Sequence, residues 1–87
     1  MFRMKGSSMV NVEIMPDGYL LVDRSKRPKN RSIIVAVYKK SQLVRRYNDR
    51  DVNIRLISEC PKAIYIEVKE DNFFYVYGVV TNVINPL

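Results

Sequence analysis

The chain has 87 residues, a formal net charge of +6, 47% hydrophobic residues, one cysteine and no histidine. A length of this order holds one domain, taken here as residues 1–87, and the apolar fraction argues against disorder. The lack of histidine excludes Ser-His-Asp triads, Cys-His dyads and His-based zinc sites, and the lone Cys60 excludes an internal disulfide.

The opening segment Met1-Phe2-Arg3-Met4-Lys5-Gly6 lacks the apolar stretch of a signal peptide. No later run approaches the roughly 20 apolar residues that span a bilayer. The expectation is a cytoplasmic protein without a membrane segment. Tyr19-Leu20-Leu21-Val22 predicts a strand opened by a turn at Pro16-Asp17-Gly18. The basic stretch Arg24 to Arg31 comes next, and Pro28 and Asn30 make it a loop. No aromatic residue is interleaved to stack bases, so direct nucleic-acid binding is not expected.

Ser32 to Tyr38 is a β-branched run that predicts a strand buried on both faces. Lys39-Lys40-Ser41 is a polar break, and Gln42 to Tyr47 is the returning arm of a hairpin. Val52, Ile54 and Leu56 alternate with polar residues, as do Ile64, Ile66 and Val68, and each set predicts a half-buried strand. Phe73 to Ile84 predicts a long final strand with Gly78 inside it. Glycine within a strand marks a bulge or bend, which would let one strand serve two sheets. No window carries a helical period, so the class is all-β, a closed or sandwich-like domain.

The informative motif is Phe2-Arg3-Met4-Lys5-Gly6-Ser7-Ser8-Met9, an apolar strand followed by Gly and Ser-Met. A Gly-Ser turn alone means little. Here it precedes Pro16-Asp17-Gly18-Tyr19-Leu20-Leu21-Val22-Asp23, the run Ile33 to Val37, Leu43-Val44-Arg45-Arg46 and Val76-Tyr77-Gly78-Val79-Val80. In this order the sequence resembles the peptidase domain of LexA, UmuD and the phage repressors, and is most similar to the processed form of UmuD. The resemblance covers nearly the whole chain. It implies a LexA/signal-peptidase-like β-clip, a barrel or sandwich of short, mostly antiparallel strands.

The resemblance also implies a chemistry. In that family a serine attacks a peptide carbonyl, and a neutral, buried lysine takes the hydroxyl proton. Ser8 matches the nucleophile, and the lysine position falls on Arg45. A guanidinium stays protonated in proteins and has no lone pair for a hydroxyl proton. Arg46 would point to the opposite face, and Lys39 and Lys40 lie at a turn where lysines are solvated. Ser7 stands where the family has an acid and Tyr19 where it has Asp; with seven residues before Ser8, no cleavage segment in cis is expected.

The chain is therefore expected to be a non-catalytic relative of the UmuD type in the SOS response. By the same resemblance it would be a homodimer that partners an error-prone DNA polymerase and a recombinase filament, with Phe73 to Ile84 as the dimer edge. No cofactor or metal is expected. The alternative is an active Ser-Lys peptidase.

Overall fold

The computed structural model describes residues 2–50, 52–62, 64–69 and 73–86. Its strands are β1 (Phe2–Arg3), β2 (Tyr19–Asp23), β3 (Ile33–Tyr38), β4 (Ser41–Asn48), β5 (Ile54–Ile57), β6 (Tyr65–Val68) and β7 (Phe74–Ile84). A short 3-10 turn covers Val10–Val12, and no α-helix occurs among the described residues. All pairings are antiparallel, in the order β1-β2-β7-β3-β4-β5-β6. The fold is all-β, as the alternating sequence predicts. Among the described residues no helix is long and apolar enough to cross a membrane.

β7 organises the sheet. Its first half pairs with β3, from Phe74 to Val79, and its second half pairs with β2, from Val79 to Ile84. Val79 is paired on both sides, with Asp23 and with Ile34. The handover falls beside Gly78, where the sequence predicts a bend. Two bulges sharpen the turn. Val35 faces Gly78 and Ala36 faces Val76, which leaves Tyr77 as the extra residue. Leu21 faces Asn82 and Val22 faces Val80, which leaves Thr81 extra, its hydroxyl donating to the Leu21 carbonyl at 3.2 Å. An extra residue on one strand bends it and increases its twist.

Gly78 is required by space. A Cβ there would overlap Val22 Cγ1 and come within 3.0 Å of the Asp23 carbonyl oxygen. β7 lies between β2 and β3 in the strand order, but among the described residues each half is paired on one side only, which leaves one edge of Phe74 to Gly78 and one edge of Val80 to Ile84 without a partner strand.

Two apolar clusters fill the molecule. Met4, Met9, Ile14, Leu20, Val35 and Val44 form one; Ile34, Ala36, Tyr47, Leu56, Val68 and Val79 form the other. Successive β3 residues alternate between them, so β3 is buried on both faces. Ile34, Val35 and Ala36 are fully buried. Each full-sized apolar side chain withdrawn from water in this way contributes about 1.5–3 kcal/mol.

Two sequence-based limits shift. Val52 is fully exposed in a bend, and the strand begins at Ile54. Its alternation with Ile54 is therefore not a sheet pattern, because the partner strand β6 ends at Val68, opposite Ile54. Ser41 belongs to β4 and faces Tyr38, so the hairpin loop is Lys39-Lys40 alone.

Candidate functional site

Ser8 sits in the connection between β1 and β2, and buried side chains anchor that connection on both sides. Met4 is buried; its N–H donates to Gly18 O at 2.7 Å and its carbonyl accepts from Asp17 N–H at 2.9 Å. Gly6 then turns the chain with φ +77°, a left-handed value that glycine adopts without a steric penalty. Ser7 and Ser8 come next, and Met9 drops into the core with no exposed surface. Its carbonyl accepts from Val12 and Ile14 N–H at 3.2 and 3.3 Å, which closes the 3-10 turn. Ser8 is thus fixed between two buried methionines while its own side chain is half-buried.

The far end of the loop is also tied down. Pro16-Asp17 make the expected turn, with Gly18 N–H donating to Met15 O at 3.0 Å. Asn85, beyond β7, accepts from Met15 N–H at 3.1 Å and donates to Glu13 O at 2.6 Å. No periodicity marks Asn85 in the sequence, because its role depends on where β7 ends in space.

Arg45 lies in β4 opposite Ile34. One guanidinium nitrogen, Nη1, donates to Ser8 Oγ at 2.8 Å and to the Val44 carbonyl at 2.8 Å. The fold therefore joins the two residues that the resemblance singled out, although 37 positions separate them in the chain. Burial lowers the Arg45 pKa, and nearby Cys60, a half-buried free thiol, opposes that shift.

The polarity of this contact decides its chemistry. A general base must accept the serine proton, which requires a lone pair on the base. Here the nitrogen donates and Oγ accepts. The guanidinium has five N–H donors and no acceptor, so the contact holds the hydroxyl in place and cannot deprotonate it.

Arg46 turns elsewhere, as expected. Its Nε donates to Glu59 Oε1 at 2.7 Å and its Nη1 to the Arg31 carbonyl at 2.7 Å. Glu59 O in turn accepts from Asn11 N–H at 2.7 Å. This strut ties β4 to the 3-10 turn just after Ser8, and nothing in the spacing of Glu59 and Arg46 revealed it.

A groove of about 1000 Å³ opens beside Ser8, between the segment from Phe2 to Ser8 and the stretch from Lys40, in the hairpin loop, to Arg45 in β4. Val37 and Tyr75 complete its lining. Lys5 and Lys40 also line it, both exposed. Among the described residues the hydrogen-bond partner of Ser8 Oγ is Arg45, and neither lysine takes that place.

The basic loop is more structured than its composition implies. The Arg24 guanidinium lies 4.1 Å from the centre of the Tyr77 ring, the residue that the β7 bulge pushes out. The Asp23 carboxylate accepts from Ser25 N–H at 2.9 Å and Ser25 Oγ at 2.6 Å.

Residues 1–81 match the family described as Peptidase S24-like. No curated protein sequence matches the chain.

Proposed function

The chain belongs to the Peptidase S24-like family, and on that premise we propose that it is a non-cleaving member, a UmuD-like accessory of the SOS response. The observation that carries this reading is the direction of one hydrogen bond. Arg45 Nη1 donates to Ser8 Oγ at 2.8 Å, where a Ser-Lys peptidase needs an acceptor. Loss of the base need raise the barrier by only ~4 kcal/mol to slow cleavage about a thousandfold. Ser8 takes the place of the nucleophile and Arg45 the place of the lysine; together they form a fixed polar contact.

In this role the protein is a homodimer that binds an error-prone DNA polymerase, and a recombinase filament is a further partner. Exposed apolar side chains on one face of β2 and β7 support self-association. Tyr19 and Leu21 project from the same face as their cross-strand partners Ile84 and Asn82, and all three large apolar groups are exposed.

The test is cleavage of a family-type peptide by the purified chain. No Ser8-dependent product is expected, and Arg45→Lys is expected to restore some. Robust cutting by the unaltered protein that Ser8→Ala abolishes would sink the proposal. A pull-down with the polymerase tests the partnership separately.

A second reading, an active Ser-Lys peptidase, has one observation in its favour. Lys5 and Lys40 line the same groove as Ser8. It predicts that Lys5→Ala or Lys40→Ala abolishes a Ser8-dependent activity.

A further inference from the structure

We propose that the groove beside Ser8 is a docking site for an extended acidic peptide, with one carboxylate of that peptide seated on the Arg45 guanidinium. This rests on the reading that Arg45 is not a proton acceptor. It adds what the substitution makes possible: a site that holds a peptide where a relative with lysine would cut one.

Three observations converge. The first is the state of Arg45. Its side chain is half-buried, and its Nη1 is engaged by two neutral oxygens, Ser8 Oγ and Val44 O. No carboxylate among the described residues forms an ion pair with it, in contrast to Arg46, which has Glu59. A partly desolvated cation without a counter-charge gains most from an incoming anion, and the planar guanidinium matches a carboxylate with paired N–H donors. Ser8 Oγ accepts from Arg45, so its own O–H proton is free to donate to the same carboxylate.

The second observation is the charge of the lining. Arg3, Lys5, Lys40 and Arg45 all line the groove, and among the described residues no Asp or Glu does. Asp17 partly offsets Arg3 from behind at 3.5 Å, an exposed pair. Among the described residues the other three cations face the groove without an acid of their own.

The third is the backbone of β4. Its inner edge pairs with β3 from Ser41 to Arg46, whereas β5 covers its outer edge only from Arg46 to Asn48. Among the described residues no strand pairs with the outer edge of Ser41 to Arg45. An unpaired edge presents the N–H and C=O groups that an added strand uses. That pattern fits a peptide backbone and not a phosphodiester chain. Since β5 occupies the edge beyond Arg46, an added strand lies over Ser41 to Arg45 and brings its side chains to the cations around Ser8.

Fluorescence anisotropy tests the site with the full chain. The probe is a labelled peptide of about ten residues alternating Glu and Val, long enough to cover this edge at roughly 3.4 Å per residue. A matched peptide with Gln for Glu and a thymidine oligonucleotide of similar length are the comparisons. The acidic peptide is expected to bind at least about tenfold more tightly than the Gln peptide, since hydrogen bonds to charged groups differ from neutral ones by this order. Its affinity should fall as salt is raised.

Arg45→Gln should weaken binding about tenfold with the circular dichroism spectrum unchanged. Should Arg45→Gln fail to fold, the surface variant Lys5→Glu/Lys40→Glu reads out the same site, while Lys26→Ala outside the groove leaves binding as it is. Equal affinity for the Gln peptide, tighter binding of the oligonucleotide, or full affinity in a folded Arg45→Gln protein would each overturn the proposal. Mass spectrometry of the recovered peptide separates the two claims. Peptide bound but cut removes the non-cleaving reading and keeps the docking site. Peptide neither bound nor cut removes the docking site alone.

Discussion

Arg45 and Arg46 are adjacent, carry the same group and do opposite things. Arg45 meets neutral oxygens and has no counter-charge among the described residues, whereas Arg46 is held at 2.7 Å by Glu59, both side chains being largely buried. Removing one member of such a pair leaves the other partly desolvated and unmatched. Glu59→Gln should therefore destabilise the protein by about 1–2 kcal/mol in urea unfolding, less than a fully buried pair because water still reaches both groups. A double-mutant cycle with Arg46→Met isolates the coupling, and additive single effects would refute it. Asp23 gives a pH-dependent case. The Ser25 hydroxyl and amide lower its carboxyl pKa below the ordinary 3.8. A depressed folded-state value means the stabilisation is present above pH 3.8 and is lost as pH falls through the lowered value. Proton titration followed by NMR should give an Asp23 midpoint below 3.8 that rises in Ser25→Ala.

The β3–β4 hairpin stores strain in two residues. A two-residue loop whose central residues both have positive φ favours Asn-Gly. Here Lys39 and Lys40 hold φ of 49° and 71°. Left-handed backbone costs an ordinary residue about 1–2 kcal/mol. Lys39→Asn/Lys40→Gly should raise stability by about 1–2 kcal/mol, read as a higher urea midpoint at unchanged slope. Gly78→Ala works the other way: its Cβ would overlap Val22, and overpacking of this sort costs about 1–3 kcal/mol. The strands around these points were legible in the sequence from two patterns: the continuous β-branched run Ile33 to Val37 is β3, buried on both faces, and of the alternating set Ile64, Ile66 and Val68 the last two sit in β6, whereas Ile64 precedes the strand and is exposed. Val52 was misread because alternation continues past the point where a partner strand exists. The segment from Met9 to Ile14 carries no period at all. It is shaped by two residues driven into the core and by bonds to Met9 O, which are tertiary facts. The meeting of Ser8 with Arg45 came from resemblance to a family. The donor's direction and the missing counter-charge came only from the fold.

At the scale of the molecule, the sheet has one face of β2 and β7 turned inward and the other turned out. Leu20 and Val83 face the first core cluster, while Tyr19, Leu21 and Ile84 stay exposed one residue away. Period-two alternation ordinarily places polar groups on the outer face of a one-sided sheet. Three large apolar side chains there, beside Asn82 and the Arg3 guanidinium over the Tyr19 ring at 5.6 Å, make an apolar patch with a polar rim. Such patches mark association surfaces. A two-fold pairing through this face would let Leu21 of one copy cover the same patch of the other, since a symmetric interface is self-complementary. Sedimentation velocity at micromolar concentration should therefore give a dimer for the unaltered chain. Leu21→Glu should give a monomer of unchanged fold, because two like charges would be brought together in a desolvated contact. Leu21 is exposed in the single chain and belongs to neither core cluster, so this change leaves both clusters intact and the unfolding midpoint at low concentration nearly fixed. A monomer before the substitution, or a dimer that survives it, would show that the exposed face of β2 and β7 does not join two copies.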